Sequence, residues 1–485
     1  MSQQPSRRAA LRGLAVAGAV VAGFDPGTRS WAVSGDRPFA GVPDLDGTLL
    51  TDPASRAAVA DDYGHIVHRT PAAVLRPGSV SDVVAMVRFC NRHGIEVAPR
   101  GQGHTTLGQA QLAGGLVVET EPLAAVGAVD TVRSTVTVGG GARWSNVAKA
   151  TLADGLTPPV FTDYLELSVG GTLSAGGIGG QAHRYGAQVD NVVALEVVTG
   201  AGELVHCSPR RHADLFRAVL SGLGQCAIIV GATLRLVPAP STVRHYVLPY
   251  ADLRTYLEDQ RVLAEDERFD YVEGQVTADA AGVFGEGFVE AVAYGNPVDD
   301  GRLLHGLRYD PAGARITDLP YYDFLDRIAP AVAQLKESGL WYWAHPWLNL
   351  LLPGARTEEI ATEILSSLTP DDLGPGLVLL YPLRRERLTA APLLRVPDDP
   401  VPYLFAILRT TPPDDTAKIE RLLTANREAY DLALSAGGHR YPIDSLSFTV
   451  SDWRRHFGPV WGELAAARHR YDPRGVLGAG QGIFI

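Results

Sequence analysis

Lysine is nearly missing from this chain. Lys149, Lys336 and Lys418 are the only three in 485 residues, so positive charge is almost all arginine, and the excess of acidic side chains leaves a net charge of −11. No basic run interrupts that balance, which argues against a nucleic-acid polymer as partner. Cysteine is scarce too. Cys90, Cys207 and Cys226 are odd in number and far apart, so neither a disulfide framework nor a zinc-ligand spacing can be read, and no metal site is expected. Cys90 falls in a helical pattern and Cys226 in an apolar stretch, both positions suited to a packed core. No apolar run reaches the ~20 residues that cross a bilayer, and no internal repeat or low-complexity tract is present.

The N-terminus carries an address. Ser6-Arg7-Arg8 precedes a short apolar run from Leu14 to Phe24, and Trp31-Ala32-Val33-Ser34-Gly35 supplies a small-residue end. A positive start, an apolar centre and a small-residue end predict a twin-arginine export signal over residues 1–34. The expectation is an exported protein, secreted or in the cell envelope, without stable membrane insertion. The remaining composition, 46% hydrophobic and 20% charged, is that of a globular protein of two or three domains.

Strand-like and helix-like text alternates from Pro71 onward. Residues 73–75 read as a strand, residues 79–90 as a helix carried by Val83, Val84, Met86, Val87 and Cys90, and residues 95–99 as the next strand. Residues 116–119, 134–138, 191–198 and 226–236 are further strands, with 200–203 as a hairpin turn and 214–219 as a short helix. Pro238-Ala239-Pro240 marks a boundary. Beyond it come helices at 250–264, 321–340 (interrupted at Pro330) and 358–368, and strands at 269–276, 283–292, 377–381 and 403–408. The pattern is α+β. It predicts a first domain over residues 40–240, a second with an antiparallel sheet and helices over 241–445, and a return to the first over 446–485.

Two glycine-dense segments stand out. Arg100-Gly101-Gln102-Gly103-His104-Thr105 places a histidine in a glycine turn after a strand, and Gln109 follows closely. Residues 169–180 hold six glycines in twelve positions, among them Gly170, Gly171, Gly176 and Gly180, with Ser174 between them. That density predicts irregular backbone rather than helix or strand. Consecutive N–H groups in such turns form anion-binding nests, as a pyrophosphate requires. No G-x-G-x-x-G follows a first strand with an acidic residue about 20 positions on, so the Rossmann fingerprint is excluded. Taken alone, a histidine in a glycine turn is commonly just solvated, and Asp163 reads equally as a turn-capping aspartate.

Several segments in order carry a resemblance: Arg100-Gly101-Gln102-Gly103-His104, Phe161-Thr162-Asp163-Tyr164-Leu165, Val169-Gly170-Gly171-Thr172-Leu173-Ser174, Asn191-Val192-Val193, Phe269-Asp270-Tyr271-Val272-Glu273-Gly274, His345-Pro346-Trp347-Leu348-Asn349-Leu350, Tyr471-Asp472-Pro473 and Gly480-Gln481-Gly482-Ile483-Phe484. Together they resemble the vanillyl-alcohol-oxidase (PCMH-type) FAD-binding fold and, within it, the cytokinin dehydrogenase family. The resemblance implies a two-domain fold whose inserted second domain binds substrate. It implies FAD covalently linked to His104 through the methyl group on the flavin's benzenoid edge. The remaining cofactor contacts implied are Arg100, Gly101, Gln102, Gly103, Thr105, Gln109, Thr162, Asp163, Gly170, Gly171, Ser174, Gly176, Gly180, Ile229, Tyr471 and Gln481.

Asp163 is the implied catalytic acid–base residue, because a carboxylate beside an amine nitrogen can take its proton as hydride leaves the neighbouring carbon. Glu273 is the implied partner at the mouth of the pocket, meeting the substrate's adenine ring, with Trp347, Asn349 and Tyr381 lining the substrate side. The implied reaction oxidises N6-alkylated adenines (cytokinins) to an imine that hydrolyses to adenine and an aldehyde, with a quinone-like acceptor or oxygen reoxidising the flavin. Thr105 stands where plant members usually have serine and keeps the hydroxyl. No cysteine lies between Asp163 and Gly171, so a second flavin bond of the berberine-bridge type is not expected. Residues 440–447 fit the family's closing region least well. A related oxidase of another amine, alcohol, sugar or natural-product intermediate, and an exported binding protein with a degenerate flavin site, are the competing readings.

Overall fold

The computed structural model describes residues 23–25, 30–32, 40–295 and 298–484. The paired arginines and most of the apolar run of the expected export signal lie outside the described residues. Among those described, no helix is long and apolar enough to cross a membrane.

The glycine turn is delivered by a small mixed sheet, ordered Thr48–Leu50, Ala73–Arg76, Leu116–Glu119, Val97–Arg100. Its last three strands run parallel. Helix Val80–His93 makes the crossover between two of them, burying Val83, Met86, Val87, Phe89 and Cys90 on one face. Gly94, in the left-handed conformation at φ 64°, stops it, as expected where a helix must end and the chain reverse. The chain leaves strand Val97–Arg100 directly into the turn. A second, antiparallel sheet of four strands follows the order Leu204–Cys207, Val192–Thr199, Ala227–Arg235, Thr135–Gly139.

The glycine-dense block departs from expectation, because Val169–Ala175 is a helix of seven residues. Gly170 and Gly171 sit in its first turn, where N–H groups lack intrahelical partners in any case, so little is lost there. A Cβ on Gly170 would stand 2.9 Å from the Gly140 carbonyl oxygen, so the missing side chain lets the helix start press against its neighbour. Gly176, at φ 144°, ends it.

A larger sheet has eight antiparallel strands, in the order Arg315–Pro320, Thr242–Tyr250, Phe284–Tyr294, Tyr271–Ala278, Leu377–Pro382, Tyr403–Leu408, Leu348–Leu352, His439–Arg440. Strand periodicity separates two cores across it. Leu348, Leu350, Leu352, Tyr403, Phe405 and Ile407 join the cluster that includes Leu257, Ile360 and Tyr430 of helices Leu253–Asp266, Thr357–Ser366 and Thr416–Ser435. Leu351, Leu404, Ala406, Tyr271 and Tyr381 belong instead to the cluster containing Phe161, Leu173 and Ile229. Strands Thr242–Tyr250, Arg315–Pro320 and Leu348–Leu352 and the helix Thr416–Ser435 were not expected. Arg315–Pro320 is an exposed polar edge, and Leu348–Leu352 is buried on both faces, so neither shows the alternation that marks a strand.

The helical text around Pro330 splits into Tyr321–Leu325 and Ala329–Glu337, with Pro330 in the first turn of the second helix. Arg327 lies in the bend between them. After helices Val450–Phe457 and Trp461–Tyr471 the chain returns to the small mixed sheet, where Leu477 bridges Val97 and the Gln225 amide donates to the Gly478 carbonyl.

Candidate active site

A cavity of about 1290 Å³, its open mouth included, runs between the glycine turn and the start of helix Val169–Ala175. Of the expected cofactor contacts, Gly101, Gln102, Gly103, His104, Thr105, Gln109, Thr162, Gly170, Gly171, Ser174, Ile229 and Gln481 line it, and so does Trp347.

The turn is held close to the helix by absent side chains. A Cβ on Gly101 would fall 2.0 Å from Ser168 Oγ, and Gly103 takes φ 64° with the Arg100 guanidinium packed against it. None of the N–H groups of Gly101, Gln102, Gly103 and His104 donates to a described residue. Gln102 Nε2 and Trp347 Nε1 are buried without a partner. Unpaired backbone donors together with buried amide and indole donors are the chemistry that phosphate and flavin oxygens satisfy, so these residues fit FAD.

Asp62, which the sequence reading missed, shapes this turn. Its Oδ2 accepts from Thr105 Oγ1 at 2.8 Å and from the Gly108 N–H at 2.7 Å, and its Oδ1 from the Gly64 N–H at 3.1 Å. Burial pushes its carboxyl up to about 6.

His104 stands in an aromatic box. The Tyr63 ring stacks on it at 4.0 Å and on His345 at 4.0 Å, so Tyr63 is sandwiched between two imidazoles. Tyr164, Trp341 and Trp347 approach within 5.3, 5.9 and 5.8 Å. Burial, then the charges of His345 and Lys336, push the His104 imidazole down to about 3. It is therefore neutral at ordinary pH, with a free nitrogen lone pair.

The remaining expected residues lie elsewhere. Beyond Thr162, Asp163 faces the large sheet. Its Oδ1 accepts from Arg327 Nη2 at 2.7 Å and from the Tyr271 hydroxyl at 3.1 Å, while no described residue donates to Oδ2. Arg327 Nη2 also donates to the Tyr271 hydroxyl, its Nε donates to Glu290 Oε1 at 2.8 Å, and it lies 3.8 Å from Glu273 Oε2. His245 Nε2 is 2.9 Å from the same Glu290 oxygen. Sheet register explains the gathering. Glu273 and Glu290 are direct cross-strand partners, and Tyr271, two residues from Glu273, shares their face.

Glu273 was expected at the mouth of the pocket. It is instead interior, its side chain 3% exposed, because strand Tyr271–Ala278 lies inside the sheet with its face turned to the cofactor half. Burial first, then the Asp163 and Glu290 charges, push its carboxyl well above the usual range against the opposing pull of Arg327, which favours the neutral acid. Arg327 and the bend that carries it left no sequence signal, since nothing local marks which charged residue a bend will turn inward.

Arg100, Gly176, Gly180, Tyr471, Asn349 and Tyr381 do not line the cavity. Gly180 lies flat under the Tyr271 ring, where a Cβ would meet ring carbons at 2.5 Å. Gly176 packs against Tyr441, and Gly177 lines the cavity in its place. Tyr471 points away, its hydroxyl donating to Asp214 at 2.9 Å. Tyr381 is buried beside Glu273 and Asp163. Asn349 accepts the Tyr441 N–H at its carbonyl and so anchors Tyr441, Pro442 and Ile443, which line the cavity although their stretch fitted the family text least. The Tyr441 hydroxyl accepts the Gly177 N–H at 3.0 Å and ties the two halves of the site together.

Comparison with known proteins agrees with this geometry. Residues 71–208 match an FAD-binding domain family, and residues 297–484 match the family described as cytokinin dehydrogenase 1, FAD and cytokinin binding. The fold is shared with 6-hydroxy-D-nicotine oxidase of Arthrobacter nicotinovorans (TM-score 0.70, 22% identity, 90% of this chain and 98% of that one). It is shared also with a vanillyl-alcohol-oxidase-type flavoprotein of Myceliophthora thermophila (TM-score 0.67, 18% identity, 86% and 80%). Fold and site thus define an FAD-dependent oxidoreductase with the two-domain α+β PCMH-type architecture.

Among curated relatives, cytokinin dehydrogenase 4 of Oryza sativa subsp. japonica is 38% identical over 91% of this chain and 90% of its own length. Cytokinin dehydrogenase 1 of Arabidopsis thaliana is 36% identical over 91% and 83%. An uncharacterized oxidoreductase of the fasciation locus of Rhodococcoides fascians is 38% identical over 90% and 99%. The chain belongs to the cytokinin dehydrogenase family.

Proposed function

We propose that this protein oxidises N6-alkylated adenines, with FAD attached covalently through His104. Bound FAD supplies the two-electron acceptor for the hydride that leaves the side-chain carbon next to nitrogen. Asp163 Oδ2 takes the N–H proton from that nitrogen, so a carbon–nitrogen double bond forms, and water then splits the imine into adenine and an aldehyde. A neutral Glu273 offers one O–H donor and one carbonyl acceptor, a pair that complements the mixed donor and acceptor edge of an adenine. Neutral His104 supplies the nucleophilic nitrogen that a bond to the flavin methyl carbon needs. A quinone-like acceptor or oxygen completes the turnover, and the N-terminal signal sends the protein out by the twin-arginine route.

The observation that carries this reading is the split of Asp163, with Oδ1 held by two protein donors and Oδ2 left for a ligand, one residue beyond Thr162 in the cofactor cavity. Anaerobic mixing with isopentenyladenine, sugars and alcohols tests it. Rapid bleaching of the flavin by isopentenyladenine alone is the expected result. Bleaching by sugars or alcohols, with isopentenyladenine inert, overturns the substrate reading in favour of a related oxidase. A colourless protein would point to a binding function with a degenerate flavin site.

A further inference from the structure

The acid–base residue of the proposed reaction does not stand alone. Its Oδ1 is fixed by Arg327, which is fixed in turn by Glu290, which touches His245, so a line of paired polar side chains runs from the cavity edge to strand Thr242–Tyr250. Arg327 packs 4.7 Å over the Phe324 ring and 5.1 Å over the Tyr271 ring, contacts that hold its plane. Around it lie three carboxylates, Asp163, Glu273 and Glu290, with His245 as the other basic side chain and Tyr271 and Tyr381 as phenols. Without Arg327, Glu273 and Glu290 would face one another directly across the sheet beside Asp163.

We infer that Arg327 is a positioning residue that holds Asp163 as the base, aiming Oδ2 at the substrate nitrogen, and that Glu290 sets how much of the Arg327 charge reaches Asp163. This inference rests on the proposed function for the identity of the proton that moves. The proton passes from the substrate nitrogen to Asp163 Oδ2, and Arg327 keeps its own protons throughout. The mechanism is electrostatic, because an opposite charge in contact favours the ionised carboxylate and a like charge nearby disfavours it. Glu290, which shares the arginine, is held down to about 2 chiefly by Arg327 and His245 against the cost of burial.

The base must be ionised to accept the proton, so the flavin-reduction rate is expected to have an acid limb. Arg327→Gln removes the neighbouring positive charge and moves that acid limb up by about one to three pH units. Arg327→Lys keeps the charge and leaves the limb near its original place, with a slower rate from the lost two-sided grip. Glu290→Gln removes a negative charge and frees Arg327 for Asp163, so the limb moves down. Opposite displacements in R327Q and E290Q are what a purely structural role would not produce.

An infrared pH titration of the holoprotein, with Asp163→Asn subtracted, follows the Asp163 carboxylate band without turnover and should show the same two displacements. Unmoved limbs and bands, or displacement of both variants in one direction, overturn the inference. If R327Q loses its flavin and its cooperative melt, the downward displacement in E290Q decides. If wild-type protein is not bleached by isopentenyladenine, the substrate reading fails by itself, and the limb is read with whichever compound of the panel does bleach it.

Discussion

Burial and the nearby His345 and Lys336 keep the His104 imidazole neutral, its stacking on Tyr63 fixes the ring plane, and none of its nitrogens is taken by a described side chain. A ring so placed is a nucleophile with one orientation. His104→Ala should therefore release all flavin when the protein is denatured, whereas wild-type protein should stay yellow. Flavin that remains attached to the variant would refute the linkage. Asp163→Asn keeps the shape but loses the base, so flavin reduction should slow by about 10²–10⁴-fold with flavin content unchanged. At this scale, residues whose role is chemical and whose neighbours are local were legible in the sequence. Asp62 and Arg327 were not accessible, because each acts on residues far along the chain, Thr105 in one case and Asp163 in the other.

The elements divide the labour between the glycine turn, which meets the cofactor, and the sheet face, which meets the acid–base cluster. Two glycines test that division. Gly101→Ala places a Cβ against Ser168 Oγ and pushes the turn off the start of helix Val169–Ala175. Purified G101A should carry less FAD per protein, measured from the ratio of flavin to protein absorbance. Gly180→Ala instead drives a methyl into the Tyr271 ring, whose hydroxyl donates to Asp163. G180A should keep its FAD and reduce it at least about tenfold more slowly, the cost of a misplaced acid–base group. Equal FAD loss in both variants would contradict the division. The glycine-dense helix also shows why density misled the sequence reading. Glycine weakens a helix through its interior, but in a first turn pressed against a neighbouring backbone it is the residue that fits.

Over the whole molecule the buried titratable groups set how stability responds to pH. His345 and His439 are pushed down to about 4 by burial, and His456 is held well below its usual value, so all three stay neutral in the folded state between pH 4 and 6. The unfolded chain protonates them below about 6.5, which stabilises it as pH falls. Asp62 and Asp444, both raised to about 6, act in the opposite sense: folded protein holds their protons up to pH 6, so their contribution falls as pH rises from 4 to 6. Three histidines stand against the two aspartates and the likewise raised Glu273, so the groups roughly offset one another below pH 6, and the net gain of stability comes above 6, where the aspartates drop out. The holoprotein should melt at a lower temperature at pH 5 than at pH 7, and an equal or higher melting temperature at pH 5 would show that other groups dominate.

The sequence by itself determined the α+β class, the glycine cradle, the histidine beside it and the aspartate that follows Thr162. Each of these depends on local backbone freedom or on a short run of residues that meet in space whatever the rest does. Only the tertiary structure decided that Glu273 is interior and favours its neutral form, that Gly180 serves the sheet and not the cofactor, and that Arg327 grips Asp163. Those facts depend on cross-strand register, which pairs Glu273 with Glu290 17 positions on, and on which way a helix break turns, which is fixed by contacts of Arg327 with residues more than 30 positions away along the chain.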